Sequence, residues 1–102
     1  MNANDFLEPW QKTDQKIFEE ELKKEISPKH TLFGKKLTVI ARRLDQDEYL
    51  FEIDNEDRFA QVHLTWKGKA EIEKTWPKTS IFYSLIEWKE QVMIIDHKNY
   101  DD

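Results

Sequence analysis

Cysteine is absent from this chain, and glycine and proline are scarce, at two and three residues in 102. The first absence excludes a disulfide framework, thiolate metal sites and thiol catalysis. The second excludes Gly-rich phosphate loops and Pro-rich recognition tracts. Long apolar runs are missing too. The longest wholly apolar stretch, Val92, Met93, Ile94 and Ile95, falls far short of a bilayer span. The opening residues Met1-Asn2-Ala3-Asn4-Asp5 have no basic region and no apolar segment behind them, so no secretory signal is expected. A cytoplasmic chain without a membrane partner is the resulting expectation. Nor is there an excess of positive charge: 16 Lys and Arg against 21 Asp and Glu leave −5, which argues against a general nucleic-acid binder.

What is present is a single domain's worth of chain, residues 1–102, with residues 1–11 and 97–102 expected to fray. Apolar residues make up 38% and charged residues 36%, and a 13% aromatic content offsets the small apolar share, because each buried ring removes a large area from water. The charge is uneven. Residues 45–57 hold seven acids (Asp45, Asp47, Glu48, Glu52, Asp54, Glu56, Asp57) and no base. Such a run is either a solvated acidic hairpin or a docking surface for a basic partner.

Periodicity orders the chain. Phe18, Leu22 and Ile26 recur every four residues beside Ile17, predicting a helix over 13–26 capped by Thr13 or Asp14 and ended by Ser27-Pro28. Leu37, Val39 and Ala41 alternate with Thr38, Ile40 and Arg42 as a first strand. Tyr49, Phe51 and Ile53 mark a second. Ala60, Val62, Leu64 and Trp66 form the core face of a third over 58–66. Its other face carries Phe59, Gln61, His63 and Thr65, either covered by the first helix or left as a binding surface. Thr79 to Tyr83 suggests a fourth strand. Ser84-Leu85-Ile86-Glu87 is a capping box in which Glu87 reaches back to Ser84, with Tyr83 and Trp88 as a hydrophobic staple. The last helix carries Leu85, Trp88, Val92 and Ile95 on its apolar stripe. The fold class is α+β: an N-terminal helix, an antiparallel meander of three to four strands and a C-terminal helix.

Signals for chemistry are sparse. His30, His63 and His97 have no metal-ligand spacing, and neither acidic turn has the glycine and bidentate glutamate of a calcium loop. Neither a metal nor another cofactor is expected. A site built on His63 with Glu52 and Arg42 is the enzymatic or small-ligand alternative. Trp66 and Trp76 bracket a loop with Lys67, Lys69, Lys74 and Lys78, an arrangement that could stack single-stranded bases, though Glu71 and Glu73 interrupt its charge.

Several segments together resemble a family of small, largely uncharacterised bacterial proteins. They are His30-Thr31-Leu32-Phe33-Gly34-Lys35, Ala41-Arg42-Arg43-Leu44-Asp45 through Leu50-Phe51-Glu52, Val62-His63-Leu64-Thr65-Trp66-Lys67-Gly68-Lys69, and Trp76-Pro77 through Trp88. The resemblance covers about residues 30–90, supplies no catalytic residue, and directs attention to Asp45, Asp47, His63, Trp66 and Trp76. In class rather than motif, a small acidic chain of this build also resembles bacterial toxin-immunity proteins. The leading expectation is therefore a non-catalytic protein-binding module, an immunity-type inhibitor of a basic toxin domain. Asp45, Asp47, Glu48, Glu52, His63, Trp66 and Trp76 are its candidate contact residues. Self-association through an exposed strand edge is the other partner expectation.

Overall fold

The computed structural model describes residues 6–70, 73 and 75–100. Residues 1–5 and 101–102, and Glu71, Ile72 and Lys74 of the lysine-rich loop, lie outside the described residues. The chain runs β1 (Trp10–Lys12), α1 (Lys16–Glu25), β2 (Leu37–Arg43), β3 (Glu48–Ile53), β4 (Arg58–His63), β5 (Thr79–Phe82), then a continuous helical run of α2 (Leu85–Trp88), a π-helical turn (Lys89–Met93) and α3 (Ile94–Tyr100). The five strands form one antiparallel sheet in the order β1-β2-β3-β4-β5. The α+β class holds, with one strand more than the meander expected. That extra strand is the segment thought to fray: Trp10 is almost wholly buried, and Gln11 pairs with Arg42.

Each face of the sheet is covered. On one, Phe18 and Leu22 of α1 pack on Val39, Phe51, Ile53, Ala60 and Val62. On the other, Trp88 and Met93 pack on Trp10, Ala41, Leu50 and Phe82. The alternation of β3 shows why: Tyr49, Phe51 and Ile53 turn to α1 while Leu50 turns to the C-terminal helix. The first helix therefore covers the plainly apolar face of β4, and the mixed face of Phe59 and Gln61 lies under the last helix instead.

Four local features depart from the periodicity, each for a stated reason. A β-bulge between Val39 and Ala41 flips the alternation, so Ala41 joins the opposite core from Leu37 and Val39. Helix α1 starts later than expected, with Gln15 at its N-cap and no side-chain cap, because Thr13 Oγ1 accepts the Gln15 N–H at 3.3 Å. Ser84 Oγ caps Glu87 N–H at 3.0 Å as expected, but the Glu87 carboxylate accepts from Tyr83 N–H, not from Ser84. Tyr83 is largely exposed and makes no staple with the buried Trp88. Finally, the π-helical turn brings Trp88 and Met93 to one side, burying Met93 and leaving Ile95 half-exposed.

The last helix is tied down where fraying was expected. Trp10 Nε1–H donates to Asp96 Oδ2 at 2.9 Å, Arg43 pairs with Asp96 at 3.3 Å, and His97 Nδ1–H donates to the Glu8 carbonyl at 2.7 Å. Among the described residues, no helix is long and apolar enough to cross a membrane.

Candidate functional site

The most unusual local chemistry lies where α1 meets the segment after β4. Phe18, Glu21, Leu22 and Glu25 follow the i, i+3, i+4, i+7 spacing of one helix face. Two glutamates therefore enter a buried stripe, and Glu25 is fully buried. Residues 65–68 have left the sheet ladder, so their amides need other acceptors. The two needs meet. Glu25 accepts Thr65 N–H at 2.9 Å and Trp66 N–H at 2.8 Å, and Glu21 accepts Gly68 N–H at 3.0 Å. Burial, and then the neighbouring Glu21 carboxyl, push the Glu25 carboxyl up to about 7, against the opposing pull of the Thr65 and Trp66 amides.

Held this way, Trp66 takes a left-handed backbone, φ 61°, unusual for a bulky residue, and Gly68 follows at φ 71°. The strand thus ends at His63, and Trp66 does not continue its core stripe. The indole swings outward with 39% of its surface exposed and stands edge-on to Phe18 and Tyr49, at 6.1 and 6.2 Å between ring centres. Phe18 and Tyr49 rings lie 4.5 Å apart, with the Arg42 guanidinium 5.3 Å from the Phe18 ring centre. Burial raises the Tyr49 hydroxyl above its ordinary pKa, with the Trp66 indole opposing that rise.

The adjoining β2–β3 turn supplies acids. Asp47 lies beside the loop, its carbonyl accepting Leu64 N–H at 3.0 Å. Asp45 is held by Arg43 Nε–H at 2.7 Å. Glu48 is committed to the fold: it accepts from Gln61 Nε2–H at 3.0 Å and meets His63 Nδ1 at 2.5 Å, while Gln61 Oε1 accepts Trp88 Nε1–H at 2.8 Å. His63 is thus oriented by Glu48 and not by Glu52, which stands opposite Thr38 and Phe59 further along the sheet. Arg42 points to the α1 face and is no partner for His63.

Of the sequence-predicted contact residues, Asp45, Asp47, Glu48, His63 and Trp66 come together at one end of the sheet. Trp76 precedes β5 at that same end, with the Lys78 ammonium 5.2 Å from its ring centre. Glu52 is separate, lining a shallow groove of about 300 Å³ with Phe6, Phe59 and Leu85. The acid-only run does not form one surface, because β3 carries Asp45 and Asp47 to one end of the sheet and Asp54, Glu56 and Asp57 to the other. Glu56 is there engaged by Lys35, and Asp54 accepts from the Thr38 hydroxyl.

His30, in the loop between α1 and β2, is buried. Its Nδ1 accepts Leu32 N–H at 3.0 Å, and its Nε2–H donates to the Pro77 carbonyl at 2.9 Å, joining the segment after α1 to the approach to β5. Among the described residues, no three His, Asp or Glu side chains are grouped to hold a metal ion. Glu21, Glu25 and Tyr49 are not among the contact residues expected from the sequence. The signal that could have found the glutamates is their place in the apolar register of α1. Comparison with protein-family models, curated proteins and solved structures finds no match to this chain.

Proposed function

We propose that this chain is a non-catalytic protein-binding module whose docking face is the sheet end carrying Trp66, Asp45 and Asp47. Its specific form is an immunity-type inhibitor of a basic toxin domain. One observation carries the reading: a half-exposed tryptophan is held in a left-handed backbone by a wholly buried carboxylate. Strain of this kind persists only where surrounding structure enforces it, and it concentrates at ligand clamps. A rigid indole loses little freedom on binding, and tryptophan is among the residues that dominate interface energetics. Acids on the neighbouring turn would speed encounter with a basic surface.

The test is affinity capture from a lysate of the native organism, at low and moderate salt, with three baits. These are the natural chain, Trp66→Ala, and the Asp45→Asn/Asp47→Asn double variant. Glu48 stays unchanged because the fold uses it. The expected result is one stoichiometric basic protein, lost with Trp66→Ala and reduced by the double variant and by salt. The same proteins recovered equally by all three baits would sink the reading.

A second reading has one observation in its favour. Glu48 orients the half-exposed His63 imidazole as a carboxylate orients a general base. A small-ligand or enzymatic role there requires His63→Gln to abolish ligand binding or turnover while leaving partner capture intact.

A further inference from the structure

Among the described residues, strand β5 is an open edge of the sheet, and its backbone is complementary to itself. His63 N–H donates to the Lys78 carbonyl at 3.0 Å, which makes His63 and Lys78 a hydrogen-bonded pair of the β4–β5 ladder. Antiparallel pairs alternate, so Gln61 with Ser80 and Phe59 with Phe82 are hydrogen-bonded pairs as well. Thr79 and Ile81 fall between them. Their N–H and C=O groups therefore point away from β4, and no described residue takes them up.

The opposite edge is different. Thr13 N–H donates to the Ile40 carbonyl, so by the same alternation Trp10 and Lys12 are the outward residues of β1. Trp10 N–H is already given to the Leu7 carbonyl at 2.9 Å, and Lys12 places a charge on that edge. Strand β5, Thr79-Ser80-Ile81-Phe82, carries no charge at all. Ile81 on it and Tyr83 next to it are exposed large apolar residues, and exposed Ile86 follows in the first turn of α2.

We infer that β5 pairs with β5 of a second copy of this chain, antiparallel about a two-fold axis through Ser80, to give a continuous ten-stranded sheet. The register follows from the backbone chemistry. An axis at Ser80 sets Thr79 against Ile81 of the partner copy twice over, forming four N–H···O=C bonds. An axis at Ile81 would set Thr79 against Tyr83, whose N–H is already bonded to Glu87. An axis at Thr79 would set Ile81 against Pro77, which has no N–H. Charge agrees with the chosen register. Lys78, opposite His63, lies at one end of β5, and Glu87, bonded to Tyr83, lies at the other. Antiparallel pairing brings each lysine toward the other copy's glutamate. This interface is separate from the Trp66 docking face and does not rest on that reading.

The experiment uses the full chain. Sedimentation velocity over a concentration series is expected to show a monomer–dimer equilibrium. Ile81→Pro removes an outward N–H that the β4–β5 ladder does not use, and an edge strand tolerates proline at such a position. It should weaken the dimer about tenfold or more, the worth of two lost backbone bonds, with an unchanged circular dichroism spectrum. Ile81→Lys, which places a charge on the edge, should do the same. Because the chain has no cysteine, Ser80→Cys is a clean reporter: the two thiols would face each other in a closely spaced non-hydrogen-bonded pair and should oxidise to a covalent dimer. Gln11→Cys on the other edge should not. A chain monomeric at every concentration, or a dimer unaffected by both Ile81 substitutions, would overturn the inference. So would equal cross-linking of the two cysteine variants, and a β5 edge that takes up a strand of another protein but never its own copy.

Discussion

The fully buried Glu25 carboxylate accepts the backbone N–H of Trp66 at 2.8 Å, across 41 residues of sequence. This one contact joins the first helix to the loop that carries the exposed indole. Glu25→Ala would leave the amides of Thr65 and Trp66 without acceptors. The expected loss is about 1–3 kcal/mol, because these partly buried donors carry only part of the cost of fully buried orphans. Urea unfolding followed by circular dichroism measures it, and a loss within error of zero would mean that water replaces the carboxylate.

The same carboxyl makes stability depend on pH. Its pKa in the folded chain, about 7, lies above its ordinary value of 4.5, so the folded state holds the proton more tightly. The stabilisation from this group is complete below about pH 4.5 and is lost as pH rises through about 7. Glu25→Gln mimics the protonated form, with its carbonyl accepting the amides and its NH₂ facing Glu21. Unfolding midpoints measured from pH 5 to pH 8 should fall less steeply in this variant than in the natural chain. A parallel fall in both would place the dependence elsewhere.

Left-handed strain at Trp66 gives a second comparison. Both Trp66→Ala and Trp66→Gly remove the contacts with Phe18 and Tyr49, but only glycine adopts φ 61° freely. Trp66→Gly should therefore be the more stable variant by about 1 kcal/mol, against the usual preference for alanine. Thermal unfolding of the pair decides it, and alanine as the better residue would show that the loop relaxes once the indole is gone.

His30→Ala should destabilise the chain by about 1–3 kcal/mol, because it leaves the buried Leu32 N–H without an acceptor, while the Pro77 carbonyl keeps the Thr79 hydroxyl. Hydrogen exchange at the Leu32 amide is a local readout. Its protection should drop in this variant, while that of β3 amides follows global stability alone.

Gln61→Leu should cost a comparable amount, about 2–4 kcal/mol, since Trp88 Nε1–H loses its acceptor and Glu48 one of its two donors. Adding His63→Ala should then cost less than it does alone, because both act through Glu48. Strict additivity in the double-mutant cycle would show that the two contacts are independent.

Much of the fold is written in local patterns. The i, i+4 spacing of Phe18 and Leu22 marked the first helix, period-two alternation marked β3 and β4, and Ser84 marked the start of the last helix, because these signals need only nearest-neighbour geometry. β1 is too short for a period to be read, and its strand state depends on pairing with β2, more than 25 residues away. The bulge at Ile40 and the π-helical turn at Lys89–Met93 each add one residue to a repeat, which shifts a face without leaving a compositional trace.

The sequence by itself determined the α+β class and, through the lack of cysteine, the absence of thiol and disulfide chemistry. Tertiary structure decided the rest. It divided the acidic run between two ends of the sheet, gave His63 to Glu48, and placed Glu21 and Glu25 beneath a loop distant in sequence. The physical reason is that charge and hydropathy are properties of single residues, whereas a buried carboxylate is tolerated only where folding delivers backbone donors to it. Those donors, on residues 65–68, become its neighbours only when the first helix closes over the sheet.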